Sequence, residues 1–195
     1  CSNPYVHPNK VMTGFSHVNL SGVGCPDLGS IILMPITGEL QVDVSKYGST
    51  YSNEIAKPGY YSSHLDRYDI TAEATTTTRT GISRYTFPEG QSHILLDLGH
   101  GLTNESGAFM RMVSDTEIEG YKLMGTFCYN PDAVFPVYFV VQFSKPAENR
   151  GYWKEQKRLP GHRHNWDPTS GQYKIYNSYF KEMAGENIGT WFTFN

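Results

Sequence analysis

Between Asp69 and Phe87 the chain reads DITAEATTTTRTGISRYTF, and this stretch narrows the possible folds more than any other. Ile70, Ala72 and Ala74 alternate with Thr71, Glu73 and Thr75, so the apolar side chains share one face only if the backbone is extended. Four consecutive threonines, Thr75 to Thr78, add β-branched side chains that lose rotamer freedom in a helix. Thr80 to Phe87 then returns as the second arm of a hairpin around Arg79 to Gly81. Runs of the same kind recur along the chain, separated by turn residues. They are Ser30 to Pro35, Glu39 to Val44, Tyr60 to Leu65 after the turn Lys57-Pro58-Gly59, His93 to Leu98, Ala108 to Val113, Thr116 to Met124 and Ile188 to Phe194. Phe135 to Phe143 is the strongest strand. Val137, Phe139, Val141 and Phe143 line one face while Tyr138 and Val140 make the other apolar too, a pattern that predicts cover on both sides. Lys145 to Pro168 reads as a long polar loop, and Ser178 to Ala184 as a short helix.

Composition agrees with an all-β chain. Aromatic residues make up 14%, charged residues only 18%, and 19 glycines and 11 prolines supply turns throughout its 195 residues. The expected fold is a single antiparallel β-sandwich. A formal charge of −3 argues against a long phosphate-tracking surface, so nucleic acid is not an expected partner. No apolar run approaches the roughly 18 residues of a membrane-spanning helix. Cys1, Cys25 and Cys128 make neither an even disulfide framework nor a C-x-x-C metal spacing.

The densest group of chemical side chains lies in GFSHVNLSGVGCPDLGSIILMP, Gly14 to Pro35. Ser16, His17, Asn19, Ser21, Cys25 and Asp27 stand among glycines just before a buried strand. Glycines let a ligand approach the backbone closely, and the polar side chains suit a polyhydroxylated ligand. The same residues can also serve only the turns of the loop. A dinucleotide fingerprint fails because Asp27 stands where its third glycine belongs. A Cys25–His17 nucleophile pair requires the fold to bring the two together. His162, His164 and Asp167 have an H-x-H-x-x-D spacing that solvated histidines also produce. Asp97, Asp115, Glu117 and Glu119 are the carboxylates available for acid–base glycoside chemistry. Trp153 and Trp166 can stack on a sugar ring or pack beneath the loop.

That segment resembles the signature loop of glycoside hydrolase family 92, the calcium-dependent exo-acting α-mannosidases. EIAKPGYYSSHLDRYDITAEATTTTRTGISRYTFPEG (Glu54 to Gly90), ILLDLG (Ile94 to Gly99), VSDTEIEGYKL (Val113 to Leu123), VYFVVQFSKP (Val137 to Pro146) and TWFTFN (Thr190 to Asn195) follow in the family's order. The resemblance implies that residues 1–195 form most of an N-terminal, supersandwich-like β-sandwich domain, facing a catalytic (α/α)6 barrel that is not in this chain. It further implies inverting hydrolysis of terminal α-mannosides of N-glycans, of α-1,2 type, by a parent enzyme whose acid, base and calcium-binding residues belong to the helical part. This chain alone is then inactive, holds no cofactor of its own, and contributes one wall of the substrate cleft.

Under that resemblance Ser16, His17, Asn19, Ser21, Cys25 and Asp27 are the candidates for substrate-side or supporting roles, with no catalytic and no metal-binding residue among them. His17 is expected to donate to a sugar hydroxyl. Asn19 replaces a family histidine, which keeps hydrogen bonding and removes an ionisable group. The expected partners are a mannose-containing glycan and the C-terminal helical domain. The expected location is bacterial, periplasmic or secreted, with a surface lipoprotein as the variant that a lipid-bearing N-terminus outside these residues would create. Two rivals remain: a stand-alone carbohydrate-binding module using Trp153 or Trp166, and a purely structural or assembly domain.

Overall fold

The computed structural model describes residues 11–19, 28–102, 105–125, 130, 132–155, 173–177 and 181–195. They form antiparallel strands in three sheets, with one four-residue helix. The first sheet joins β1 (Val11–Met12), β4 (Ser49–Lys57), β5 (Tyr60–Leu65), β6 (Ile70–Thr76) and β7 (Gly81–Thr86), in that order. The second runs β11 (Phe135–Gln142), β10 (Glu117–Met124), β9 (Glu105–Met112), β14 (Glu182–Gly185). The third is the widest: β13 (Tyr173–Asn177), β12 (Asn149–Glu155), β15 (Ile188–Phe194), β8 (Ser92–Asp97), β3 (Leu28–Thr37), β2 (Phe15–Asn19).

The six-stranded sheet is a middle layer. On one face Leu33, Ile94, Leu96 and Phe192 meet Ala108, Met110 and Ile118 of the four-stranded sheet. On the other, Met34, Ile36, Leu95 and Trp191 meet Leu65 and Ile70 of the five-stranded sheet. Period-two geometry sends alternate residues of β8 and β15 into opposite cores, so both strands are buried at every position. The expected sandwich is therefore present, with a third sheet added to it.

Between β12 and β15 each tryptophan stands opposite a glycine: Trp153 pairs with Gly189, and Trp191 with Gly151. A Cβ at Gly189 would lie 2.0 Å from Trp153 Cζ2, and one at Gly151 would lie 2.7 Å from Trp191 Cζ2. Each indole lies against the bare backbone of the neighbouring strand, in space that a side chain there would need.

The hairpin over 69–87 forms as its alternation predicts, with Ala72 facing Tyr85 and Ala74 facing Ser83. The Lys57-Pro58-Gly59 turn closes the β4–β5 hairpin, Lys57 pairing with Tyr60. Four expectations are corrected. Glu39 to Val44 is not a strand: the Asp43 carboxylate accepts from the Ser45 N–H at 3.0 Å and the Ser45 hydroxyl at 2.7 Å, capping helix α1 (Val44–Tyr47). Lys145 to Pro168 is not all loop, because β12 occupies Asn149–Glu155 and is ordered by ladders on both sides. The helix expected over Ser178 to Ala184 is replaced, where described, by β14, which pairs Glu182 with Arg111 and Ala184 with Phe109. Phe135 to Phe143 is covered on one side only. Its strand β11 lies at a sheet edge, with Val137, Phe139 and Val141 packed on the core while Tyr138 is 74% and Val140 59% exposed.

Candidate functional site

One end of the middle sheet collects most of the polar chemistry. The register aligns the end of β12 with the start of β13 (Glu155 opposite Tyr173), and the start of β15 with the end of β8 (Gly189 opposite Asp97). It also sets Asp97 opposite Ile32, midway along β3, whose first residue Leu28 lies opposite Asn19 at the end of β2.

β3 begins irregularly. Leu28, Gly29 and Ile31 all have positive φ, 68°, 65° and 56°, and the β2–β3 register shifts between Val18 and Asn19. This is a bulge, the device that re-aims side chains at sheet edges. Gly29 is required on two counts: its φ, and a Leu102 side chain whose Cγ would stand 2.7 Å from any Cβ there. Ile31 is β-branched and holds its left-handed conformation at a cost of roughly 1–2 kcal/mol. Its side chain is buried at 4% exposure, so the core keeps it in place.

The bulge sets the three described members of the candidate loop. The Ser16 hydroxyl donates to Asn19 Oδ1 at 3.2 Å, and the Asn19 amide donates back to the Ser16 carbonyl at 3.3 Å. These two side chains tie up the end of β2. His17 lies between them, exposed, with Nδ1 2.9 Å from the Ile31 carbonyl oxygen. Ser21, Cys25 and Asp27 lie outside the described residues, as do Cys1, Cys128, His162, His164, Trp166 and Asp167. The structure therefore brings Ser16, His17 and Asn19 together and leaves the Cys25–His17 and H-x-H-x-x-D ideas without geometry.

Asp97 lies at the neighbouring strand end and is the most heavily bonded carboxylate described. Its Oδ1 accepts from the N–H groups of Gly99 at 2.7 Å and His100 at 3.2 Å. Its Oδ2 accepts from the Tyr47 hydroxyl at 3.2 Å and from His100 Nδ1 at 2.8 Å. The carboxylate side chain is 3% exposed and the imidazole 37%, so a buried anion orients a half-exposed ring. Burial, reinforced by the Asp97 charge, drives the Tyr47 phenol far above its usual pKa and keeps it a donor. Buried Lys122 donates to the His100 carbonyl at 2.7 Å, and the Leu102 N–H to the Leu28 carbonyl at 2.9 Å. The segment after β8 is thus strapped to the start of β3. Asn187, just before β15, donates to Glu155 at the end of β12.

His100 was not among the candidates from sequence; its only signal was a histidine three residues after Asp97. The other carboxylates are engaged elsewhere: Asp115 with Arg150, Glu117 with Gln142, and Glu119 with Arg111. Trp153 is corrected as a sugar platform, because at 1% exposure it belongs to the core. Half-buried Phe109 and Tyr121 and exposed Tyr138 instead form a row across β9, β10 and β11. Phe109 and Tyr121 stack with centroids 5.6 Å apart, and Tyr121 meets Tyr138 edge-on at 5.8 Å. Among the described residues no three His, Cys, Asp or Glu side chains gather to hold a metal ion. None of the described helices is long and apolar enough to cross a membrane.

Comparison with known proteins gives this arrangement a family. Residues 1–195 match the glycosyl hydrolase family 92 N-terminal domain. No curated protein matches. Among solved structures, the family GH92 α-mannosidase BT3965 from Bacteroides thetaiotaomicron superimposes with a TM-score of 0.76 at 30% identity, over 96% of this chain and 25% of that one. The same enzyme in complex with mannoimidazole aligns equally well, TM-score 0.76 and 31% identity, over 96% of this chain and 24% of that one. The gh92 family glycosyl hydrolase ccman5, at 23% identity, shares the fold with a TM-score of 0.74, over 95% of this chain and 24% of its own. The chain spans about a quarter of the length of these relatives. With a family match over its whole length, the chain belongs to glycosyl hydrolase family 92, as an N-terminal domain of that family.

Proposed function

We propose that this chain serves an α-mannosidase by forming one wall of the substrate cleft, while the acid, base and calcium-binding residues lie in a C-terminal helical domain. The observation that carries the reading is the polar end of the middle sheet, where Ser16, His17 and Asn19 sit beside the strapped Asp97–His100 segment. Fixed hydrogen-bonding groups on a rigid layer are suited to holding a sugar for chemistry done by other residues. The family membership and a relative solved with mannoimidazole support mannose as the sugar. We assign the reaction as inverting hydrolysis of terminal α-1,2-linked mannose.

The test is hydrolysis of α-1,2- and α-1,3-mannobiose by this chain alone and by a longer chain containing it, with the product anomer followed by NMR. Turnover is expected only in the longer chain, fastest on the α-1,2 disaccharide, with the β-anomer released first. Turnover by the 195-residue chain would overturn the division of labour.

A second reading, sugar binding by the isolated domain, draws on the Phe109–Tyr121–Tyr138 row and its exposed end at Tyr138, since aromatic faces stack on pyranose rings. It predicts calorimetric binding of mannosides that Tyr138→Ala abolishes. Titration without heat would remove it.

A further inference from the structure

His17 has a fixed hydrogen-bonding polarity. Its Nδ1 lies 2.9 Å from the Ile31 carbonyl oxygen, and a carbonyl can only accept. Nδ1 therefore carries the proton, and the lone pair of the neutral ring sits on Nε2. The left-handed backbone at Ile31 creates this arrangement, one step before the bulge. Paired positions run Ser16 with Ile32 and Val18 with Ser30, and at the step between them the left-handed Ile31 offers its carbonyl to the imidazole.

The ring is confined from the other side by the five-stranded sheet. β7 starts with Gly81, where a Cβ would stand 3.0 Å from His17 Cδ2 and 3.6 Å from Nε2. Absence of a side chain at Gly81 is what lets the imidazole lie against that strand. His17 nevertheless remains exposed, and its Nε2 has no hydrogen-bond partner among the described residues. Ser16 and Asn19 on either side spend one bond each way on one another, whereas the Nε2 of the exposed His17 has no such partner among the described residues.

We propose that His17 Nε2 is a preset acceptor for a hydroxyl group of the bound glycan. This reverses the donor role expected from sequence, and it rests on the cleft-wall reading for the identity of the ligand. A polyol supplies the hydroxyl donor that a lone pair requires, whereas an ionised carboxylate supplies only acceptors.

Two measurements test it. The first needs no ligand: long-range 1H–15N correlation of histidine-labelled chain, with His17 assigned by loss of its signals in His17→Asn. The expected pattern at neutral pH is the Nδ1–H tautomer; an Nε2–H ring would overturn the proposal. The second uses the longer enzyme and α-1,2-mannobiose. His17→Asn keeps an amide to bond the Ile31 carbonyl and deletes only Nε2, so KM should rise roughly three- to tenfold with kcat nearly unchanged, the loss of one neutral hydrogen bond. Gly81→Ala, which pushes the ring, should raise KM in the same direction. Unchanged KM in His17→Asn would refute the acceptor role. An inactive unmodified enzyme would instead refute the mannosidase reading, and the tautomer would still decide the polarity of His17.

Discussion

Replacing Gly189 with alanine tests the tryptophan–glycine pairing directly. In an ordinary strand the change is favourable by about 0.5–1 kcal/mol, because glycine gives up more backbone freedom on folding. Here the new Cβ lands 2.0 Å from Trp153 Cζ2 and 2.3 Å from Cε2. Carbon atoms rest about 3.5–4.0 Å apart, so the indole must retreat by about 1.5 Å. Trp153 is 1% exposed among Met34, Leu95 and Trp191, and has no solvent to retreat into. Overpacking of this kind costs about 1–3 kcal/mol, and a displaced indole belongs at the upper end. Subtracting the strand gain leaves a net destabilisation of about 2 kcal/mol, or roughly 4–8 °C in Tm for a chain of this size. The assay is urea and thermal unfolding of Gly189→Ala, Trp153→Leu and the double variant. In the Trp153→Leu background the alanine should cost nothing or stabilise, so the cycle yields a strong coupling. A Tm unchanged by Gly189→Ala alone, or lowered equally in both backgrounds, would refute the argument that the indole needs bare backbone beneath it.

Other outcomes follow from the polar groups. Asp97→Asn turns an amide NH2 toward donors that now meet a carboxylate, and should cost about 2–4 kcal/mol in urea unfolding. It should also release the segment strapped to β3, raising hydrogen exchange at Gly99 and His100. His93 is buried with Nε2 donating to the Gly38 carbonyl at 2.9 Å, and burial lowers its pKa, with that bond only partly offsetting the shift. The unfolded state then binds the proton first, so stability should decline as pH falls below about 6.5 and level off once the folded ring titrates. His93→Gln, which keeps a donor for Gly38, should flatten that slope. For Asp43, burial raises the pKa, but the Ser45 and Lys46 hydrogen bonds outweigh it and the carboxyl is held below its usual value. Its stabilisation is present above about pH 3.9 and should disappear as acid titrates the folded carboxyl; acid unfolding of Asp43→Asn should lack this component.

The parts of the fold legible in the sequence are those fixed by neighbours along the chain. The 69–87 hairpin carries both its alternation and its turn within 19 residues, and its partners are local. Glu39 to Val44 alternates equally well, yet one carboxylate bonding two residues onward converts its end into a helical turn. β14 exists because β9 offers an edge about seventy positions earlier, something no window of sequence contains. The site divides the same way. The glycine-rich loop identified Ser16, His17 and Asn19 through their density, whereas the polarity of His17 depends on an Ile31 conformation that composition cannot express. Asp97 reads as one carboxylate among several until Tyr47, 50 residues away, is folded against it.

The covered middle layer also sets a clock. Amides in β8 and β15 are hydrogen-bonded on both edges and shielded on both faces, so they can exchange with solvent only when the whole domain opens. The terminal strands of the other two sheets can fray on their own. Asp97 is the last residue of β8, and the His100 ring that it orients is therefore mounted on the slowest-opening part of the molecule. Deuterium labelling should find these backbone positions among the last to exchange, so the polar end of the middle sheet keeps its register for as long as the domain stays folded.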